Sequence, residues 1–262
     1  VACLLGAVAL VLVAVDAFLI EPTALEITRY EIVTPKLSRP VRIGILADLQ
    51  TDRIGGYERR AVELLLAEEP DLILLLGDYV QGLDHEAYDT LEHELNALLS
   101  DVGFDAPLGC FAVRGNVERN GWPRIFDGLG VTCFERTTTR EVGELTVTGL
   151  SFGESVANWP DVEPSERFHV VFGHSPNFAL GGIRADLLIA GHTHGGQVRL
   201  PLIGPPIILS AIPRSWAAGR TDLDYGPTLI VSRGVGHERG HAPRLRFLCR
   251  PELVIVDLVP GN

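Results

Sequence analysis

The chain has 262 residues, of which 46% are hydrophobic and 21% are charged, and this composition excludes an intrinsically disordered protein. Its 22 basic and 34 acidic residues give a net charge of -12, which argues against a scaffold that holds nucleic acid through basic patches. The four cysteines are widely spaced and form no CxxC pair, so neither a disulfide-rich fold nor a cysteine zinc site is expected.

Residues 1–20 form an apolar run that only Asp16 interrupts. About 20 apolar residues are enough to cross a bilayer as a helix, and Asp16 lies near one end of the run, where a charge costs least. Three interpretations stay open at this point. The favoured one is a single-pass membrane anchor; the others are a cleaved signal peptide, for which no A-x-A site follows the run, and a buried helix.

Residues 21–40 are polar and punctuated by proline, which predicts a linker followed by an edge strand between Leu25 and Val33. No internal repeat or low-complexity segment marks a boundary after residue 40. The predicted organisation is therefore an anchor over 1–20, a linker and edge segment over 21–40, and one domain over 41–262.

Short apolar runs, each ending in glycine or a polar cluster, recur through this domain and predict buried strands. The runs are Val41–Ala47, Leu72–Leu76, Cys110–Val113, Leu145–Leu150, Phe168–Phe172, Leu187–Ala190, Leu229–Val231 and Leu253–Val256. Apolar residues at helical spacing predict helices over Tyr57–Glu69 and His85–Ser100, the second with Asp84 as its N-cap. This order predicts an α/β fold with a largely parallel sheet, and the strand-rich second half predicts a second sheet packed on the first.

Five of the predicted strands are followed by Asp, Asn or His, and in four of them a glycine comes directly before that residue. The residues are Asp48 with Gln50, Asp78, Asn116, His174, and His192 with His194. Ligands bind beyond the carboxyl ends of strands in α/β sheets, and carboxylate, amide and imidazole donors without thiolate suit Mn, Fe, Zn or Co. An Asp shared between two such ions would give a site able to activate water for phosphoryl displacement.

Five motifs, in their order along the chain, resemble those of the calcineurin-like metallophosphoesterases. They are Asp48-Leu49-Gln50, Gly77-Asp78, Gly115-Asn116, Gly173-His174 and Gly191-His192-Thr193-His194-Gly195-Gly196-Gln197-Val198. The chain looks closest to the bacterial membrane-anchored branch of UDP-2,3-diacylglucosamine pyrophosphatase-like proteins. This resemblance implies a four-layer α/β/β/α sandwich, a place in the bacterial cell membrane, and hydrolysis of a phosphoester or phosphoanhydride. The substrate it favours is a lipid or a lipid-linked nucleotide, as in lipid A biosynthesis.

The resemblance also assigns roles to individual residues. It implies two divalent metal ions bridged by Asp78, and a part in catalysis for Asp78, Asn116 and His192. The first ion would be held by Asp48, Gln50, Asp78 and His194, and the second by Asp78, Asn116, His174 and His192. Near the predicted strand ends, Arg114 and Arg233 are candidates for binding phosphate oxygens, and His237 is a third candidate for substrate binding.

Two residues depart from the family pattern. Gln50 stands where the first motif has His, and its amide oxygen is a weaker ligand for Zn or Fe than imidazole. Val117 stands where the third motif has the His that contacts the phosphate, and a general acid contributes about 10²–10⁴-fold in rate. Three outcomes stay open: a substrate whose leaving group needs no proton, replacement of that group by His85, His237 or His241, and a metal-binding or scaffold protein without catalysis.

Overall fold

The computed structural model describes residues 2–157, 159–238 and 243–261, and His241 lies outside them. Within these residues the strands form two sheets of six strands each. The second sheet was expected from the strand-rich second half of the sequence. The two sheets face each other across a shared core of aliphatic and aromatic side chains that includes Ile43, Ile45, Leu74 and Phe172.

The N-terminal apolar run is helical. Helix α1 spans Ala2–Val15 and continues through a π-helical turn, Asp16–Ile20, and a 3-10 turn, Glu21–Thr23. By length and composition alone, these 22 residues are sufficient to cross a membrane, and a signal sequence meets the same criterion. The membrane anchor therefore stays a prediction.

The C-terminal end of this helical segment is hydrogen-bonded to the domain. The Ala17 carbonyl accepts a hydrogen bond from the backbone N–H of Arg246 at 3.0 Å. The Glu21 carboxylate, which is buried, accepts from the backbone N–H groups of Leu248, at 2.8 Å, and of Cys249. Ala17 and Glu21 thus pack against the domain, whereas Phe18, Leu19 and Ile20 between them are exposed.

The first sheet carries its long helices on one face. In spatial order it consists of β1 (Glu26–Thr34), β12 (Glu252–Pro260), β2 (Val41–Leu46), β3 (Leu72–Leu75), β4 (Cys110–Val113) and β5 (Val131–Phe134). Strands β2 to β5 run parallel, whereas β12 runs antiparallel to β2. The outer face is covered by α2 (Gly56–Ala67) and α3 (His85–Asp101), whose apolar stripes pack on it.

The second sheet is covered differently. Its strands, in spatial order, are β10 (Gly219–Asp222), β11 (Thr228–Val231), β9 (Leu187–Ala190), β8 (Phe168–Phe172), β7 (Leu145–Gly149) and β6 (Thr138–Val142). On its outer face the structure places short elements, α4 (Phe152–Val156) and a 3-10 turn, Pro176–Gly181. The helical layer expected there consists, in the described residues, of single turns, because glycine and proline residues interrupt the connections between the strands.

All eight predicted apolar runs are strands, and the edge strand predicted near Leu25 is β1. Both long helices are confirmed, and the Asp84 side chain accepts from the Ala87 N–H at 2.8 Å as the predicted N-cap. Strands β5, β6 and β10 were not predicted. They are short, partly exposed strands with sequences such as TTREV and GRTD, which contain no continuous apolar run.

Candidate metal centre

The predicted ligands meet where the carboxyl ends of strands from both sheets approach one another. Loops after β2, β3 and β4 carry Asp48, Gln50, Asp78 and Asn116, and loops after β8 and β9 carry His174, His192 and His194. The first sheet therefore supplies the oxygen donors, and the second supplies the imidazoles. Asp48, Gln50, Asp78, His174 and His194 are buried, and Asn116 is exposed at the rim.

The most compact part of the centre is formed by Asp48, Asp78 and His174. One potential ligand atom from each lies within 4.8 Å of the other two. His174 Nδ1 is 3.6 Å from Asp48 Oδ1, and His174 Nε2 is 3.6 Å from Asp78 Oδ1. The three side chains thus surround a single small space, which agrees with the size of a metal site.

The histidine rings present lone pairs to this space. His174 Nδ1 lies 2.8 Å from the Leu76 carbonyl oxygen, and His192 Nε2 lies 3.0 Å from the Leu209 carbonyl oxygen. A ring nitrogen next to a carbonyl oxygen carries the proton, so the other nitrogen of each neutral ring carries a lone pair. Those two nitrogens, His174 Nε2 and His192 Nδ1, lie 3.1 Å apart, and Asn116 Oδ1 lies 2.9 Å from His174 Nε2.

Four acceptor atoms therefore face one another without a proton between them. They are His174 Nε2, His192 Nδ1, Asn116 Oδ1 and Asp78 Oδ1. Such an arrangement is repulsive unless a cation lies among the atoms. Burial lowers the pKa of His174 and of His192 to about 4, so both rings are neutral at pH 7 and able to bind a metal ion. The donor set and the protonation states fit a divalent cation.

The pKa values of the two aspartates also indicate a site for a cation. Burial, with the nearby charge of Asp78, raises the pKa of Asp48, and burial raises the pKa of Asp78 to about 7. Two buried carboxylates this close disfavour each other's ionisation. A bound cation reverses that effect, because it stabilises both negative charges.

Gln50 and His194 lie beside this cluster. The Gln50 amide nitrogen donates to Gln81 Oε1 at 3.1 Å and to Glu238 Oε2 at 3.3 Å. The buried Nδ1 atom of His194 has no hydrogen-bond partner among the described residues. A buried polar atom without a partner is costly, and a metal ion is one partner that would satisfy it.

Backbone strain is concentrated at the centre. Positive φ angles occur at Asp48 (49°), Gln50 (36°), Asp78 (52°), His192 (70°) and His194 (47°). This left-handed conformation is unfavourable for residues other than glycine and tends to cluster at functional sites. It turns each side chain back toward the space between the two sheets.

The glycines next to the ligands are explained by close approach of the backbone. A Cβ atom on Gly115 would lie 2.1 Å from Asp78 Oδ1, and one on Gly191 would lie 2.5 Å from Asp48 Oδ2. Both distances are far below van der Waals contact. Glycine therefore precedes the ligands because a side chain at those positions would displace the carboxylates.

Glu118 holds the backbone beside the candidate ligands in place, and no role was predicted for it. Its buried carboxylate accepts from the backbone N–H groups of Asp78 at 2.9 Å, Tyr79 at 2.7 Å and Gly115 at 2.7 Å. Burial, together with the charge of Asp78, raises the pKa of Glu118 to about 8. The sequence signal was its place as the acidic residue that ends the third motif, Gly115-Asn116-Val117-Glu118.

The two predicted phosphate-binding arginines are engaged elsewhere. The Arg114 guanidinium donates to the Glu118 carbonyl oxygen at 2.6 and 3.1 Å. The Arg233 guanidinium is paired with Glu252 at 2.6 Å and with Glu26. Contact of either arginine with a substrate stays a prediction.

Two of the predicted replacements for the missing histidine, His85 and His237, lie among the described residues. His85 Nδ1 lies 2.9 Å from Arg119 Nη1 at the start of α3. His237 borders a cavity that Phe18 at the base of the N-terminal helix also lines. At position 117, the valine N–H donates to Asp78 Oδ1 at 3.1 Å, so this residue contributes its backbone to the centre.

An apolar groove of about 380 Å³ begins at the metal centre. His192 and His194 form its inner end. Its walls include Val198, Pro206, Ile207, Ile208, Leu209 and Leu245. A molecule that occupies both the centre and the groove would have a polar end and an apolar end.

Two stacked β-sheets with carboxylates from one and imidazoles from the other define a two-sheet α/β protein with a candidate metal centre at its strand ends. Residues 41–196 match the model of the calcineurin-like phosphoesterase family, and the chain belongs to this family. Assignment to the UDP-2,3-diacylglucosamine pyrophosphatase-like branch stays a prediction.

Several bacterial proteins are similar over most of this chain. Phosphodiesterase YaeI of Escherichia coli K12 is 30% identical, with 91% of this chain and 90% of that protein aligned. The uncharacterized metallophosphoesterase YkuE of Bacillus subtilis is 30% identical over 74% of this chain and 70% of its own length. An uncharacterized metallophosphoesterase of Aquifex aeolicus is 28% identical over 91% and 94%, respectively.

Proposed function

We propose that this protein is a metal-dependent phosphodiesterase that hydrolyses a phosphoester or phosphoanhydride bond with water. The observation that carries the proposal is the convergence of four acceptor atoms, from Asp78, Asn116, His174 and His192, on one space between the sheets. Family membership and the relative named phosphodiesterase support the same reaction class.

Two divalent ions, drawn from Mn, Fe, Zn and Co, are proposed as cofactors. The residues that would hold them are Asp48, Gln50, Asp78 and His194 for one ion, and Asp78, Asn116, His174 and His192 for the other. Bound there, the ions would supply Lewis acidity and lower the pKa of a water molecule.

The chain's own residues orient the donors. The backbone N–H of His192 donates to both carboxylate oxygens of Asp48, at 3.0 and 2.9 Å, and the Leu76 carbonyl fixes the tautomer of His174. No imidazole stands at position 117 to give a proton to the leaving group. We therefore propose that the physiological bond has a leaving group that departs as a stable anion, as in a phosphoanhydride.

The groove supports a substrate with an apolar part, and a lipid or lipid-linked phosphate fits that description. The N-terminal helix supports a single-pass attachment to the bacterial cell membrane.

The length of an apolar substrate chain tests the role of the groove. Each CH₂ group buried there contributes about 0.8 kcal/mol, which corresponds to roughly fourfold in kcat/KM. For p-nitrophenyl alkyl phosphodiesters of increasing chain length, kcat/KM should rise with each CH₂, and Ile207→Asn should flatten the rise. The exposed Val33→Asn is the matched control.

Hydrolysis of bis(p-nitrophenyl) phosphate by the full chain in detergent tests the basic activity, with Mn²⁺, Zn²⁺, Fe²⁺ or Co²⁺ added in turn. The leaving group of this substrate needs no proton. Turnover should occur with at least one ion and be lost in Asp48→Asn, whereas the exposed Asp127→Asn should retain it.

The alternative is a metal-binding or scaffold protein that has lost catalysis, and the observation in its favour is the replacement of two family histidines by Gln50 and Val117. Metal content measured on the same preparations separates the two. Bound metal without turnover for any ion would favour the scaffold, and turnover that persists in Asp48→Asn would contradict the proposed centre.

A further inference from the structure

The segment from Leu200 to Leu209 is apolar and exposed. Its exposed side chains include Leu200, Leu202, Ile203, Ile207 and Leu209. The stretch from Leu200 to Pro213 contains no charged residue, although the protein as a whole carries 34 acidic and 22 basic residues. We call residues 200–209 the apolar loop.

The tip of the loop is ordered and holds a leucine in an unfavourable conformation. Leu200 and Gly204 exchange two backbone hydrogen bonds of 2.9 Å, which close a tight turn around Leu202. Leu202 is fully exposed and has φ of 66°. Gly or Asn would adopt this conformation more easily, and a leucine there buries nothing in the described structure. Its presence points to a contact outside the chain.

The apolar loop starts beside the base of the N-terminal helix. The Arg199 N–H donates to the Phe247 carbonyl and the Phe247 N–H to the Gln197 carbonyl, both at 2.9 Å. The preceding residue, Arg246, donates its backbone N–H to the carbonyl of Ala17, near the C-terminal end of the N-terminal helix. One short segment thus joins the apolar loop to the apolar helix.

The loop also reaches the candidate metal centre. Ile207 and Leu209 line the groove, and the Leu209 carbonyl contacts His192 Nε2. Arg199 and Arg214 flank the uncharged stretch at its two ends. Apolar side chains bordered by arginines are typical of surfaces that enter the headgroup region of an anionic bilayer.

We propose that the apolar loop inserts into the surface of a lipid bilayer, as a second membrane contact beside the N-terminal helix. The bilayer is favoured over a protein partner for two reasons. Hydrogen bonds through Arg246 and Phe247 connect the start of the loop to the apolar N-terminal helix. Arg199 and Arg214 border the uncharged stretch that contains the loop. This inference rests on the proposed membrane attachment, and it does not depend on turnover. The groove would then open at the lipid surface.

The test uses the full chain reconstituted in vesicles of phosphatidylcholine and phosphatidylglycerol, with and without brominated acyl chains that quench tryptophan. Leu202→Trp and Ile203→Trp each place a reporter in the loop. The emission that each adds to that of the wild-type protein should be quenched by the brominated lipid.

Val33→Trp is the matched control. Val33 is exposed near the C-terminal end of β1. Because β1 runs parallel to β12, and β12 runs antiparallel to β2, the C-terminal end of β1 lies next to the N-terminal end of β2. Val33 is therefore at the end of the sheet opposite the metal centre. Its added emission should be unaffected. Unquenched emission from both loop reporters would overturn the proposal, whether the loop lies in water or against a second copy of the chain. Because fluorescence needs no turnover, that result would leave the phosphodiesterase proposal standing.

Discussion

The two sheets differ in what they bring to the candidate centre. The first, covered by α2 and α3, contributes Asp48, Gln50, Asp78 and Asn116, all oxygen donors. The second, covered by short helical turns, contributes three imidazoles. Neither sheet alone provides a mixed donor set, so the chemistry depends on how the two halves of the chain pack against each other.

This difference implies that a bound ion also acts as a crosslink. Asp78 on the first sheet and His174 on the second are 3.6 Å apart at their nearest polar atoms, and their interaction is unfavourable without a cation. The predictions below separate the contributions of the two sheets, from the largest expected effect to the smallest.

Removing one donor from each sheet should have similar, large effects on turnover. Asp78→Asn takes a negative charge from the first sheet, and His174→Gln takes an imidazole from the second. The loss of several kcal/mol of transition-state stabilisation corresponds to about 10³-fold in rate, measured with bis(p-nitrophenyl) phosphate. Full activity in His174→Gln would show that this imidazole of the second sheet is not needed for turnover.

Metal removal should destabilise the fold. An ion at about 100 times its Kd stabilises the native state by roughly 2.7 kcal/mol, which corresponds to about 5–10 °C in Tm for a chain of this size. Calorimetry with and without chelator measures the shift. Asp78→Asn should show little response to chelator, and an equal response would place the relevant ion elsewhere.

Glu118 contributes to the first-sheet half of the site through its contacts with three backbone N–H groups. Glu118→Gln removes one acceptor oxygen and leaves a buried N–H without its partner, at a cost of about 1–3 kcal/mol. Urea unfolding measures this loss in the free energy of unfolding. The exposed Glu135→Gln should be neutral, and a neutral Glu118→Gln would mean that water replaces the lost oxygen.

Restoring a histidine at position 117 should produce the smallest effect. Val117→His adds a proton donor next to Asp78, and we expect roughly a tenfold gain on a phosphodiester with an alkyl leaving group, below the 10²–10⁴-fold of a tuned general acid. Hydrolysis of bis(p-nitrophenyl) phosphate should stay unchanged. Equal gains on both substrates would indicate an effect on binding instead of proton transfer.

Much of the fold could be predicted from the sequence because buried strands and amphipathic helices carry their own periodicity. Each predicted apolar run is a strand, and α3 begins at its predicted cap, Asp84. Strands such as β6 and β10 were missed because they lie at sheet edges, where partial exposure removes the continuous apolar pattern.

The residues of the candidate centre could also be selected from the sequence, because a polar residue directly after a buried strand is conspicuous. Their geometry could not. The left-handed backbone at Asp48 and Asp78, and the lone pairs that His174 and His192 direct at each other, depend on carbonyl groups and loops far away in the chain. The contacts of the Glu118 carboxylate with three backbone N–H groups could not be predicted for the same reason, although the residue itself matches the third motif.

The sequence by itself determined the buried strands, the two long helices, the donor residues and the apolar N-terminal run, since each depends on a local pattern of residue types. Only the tertiary structure decided that oxygen and nitrogen donors come from different sheets. It also joined the helix base at Ala17 to the apolar loop through Arg246 and Phe247. Some of these relations link residues more than two hundred positions apart, as Ala17 and Arg246 are. The packing of distant segments, unlike periodicity, leaves no local signal in the chain.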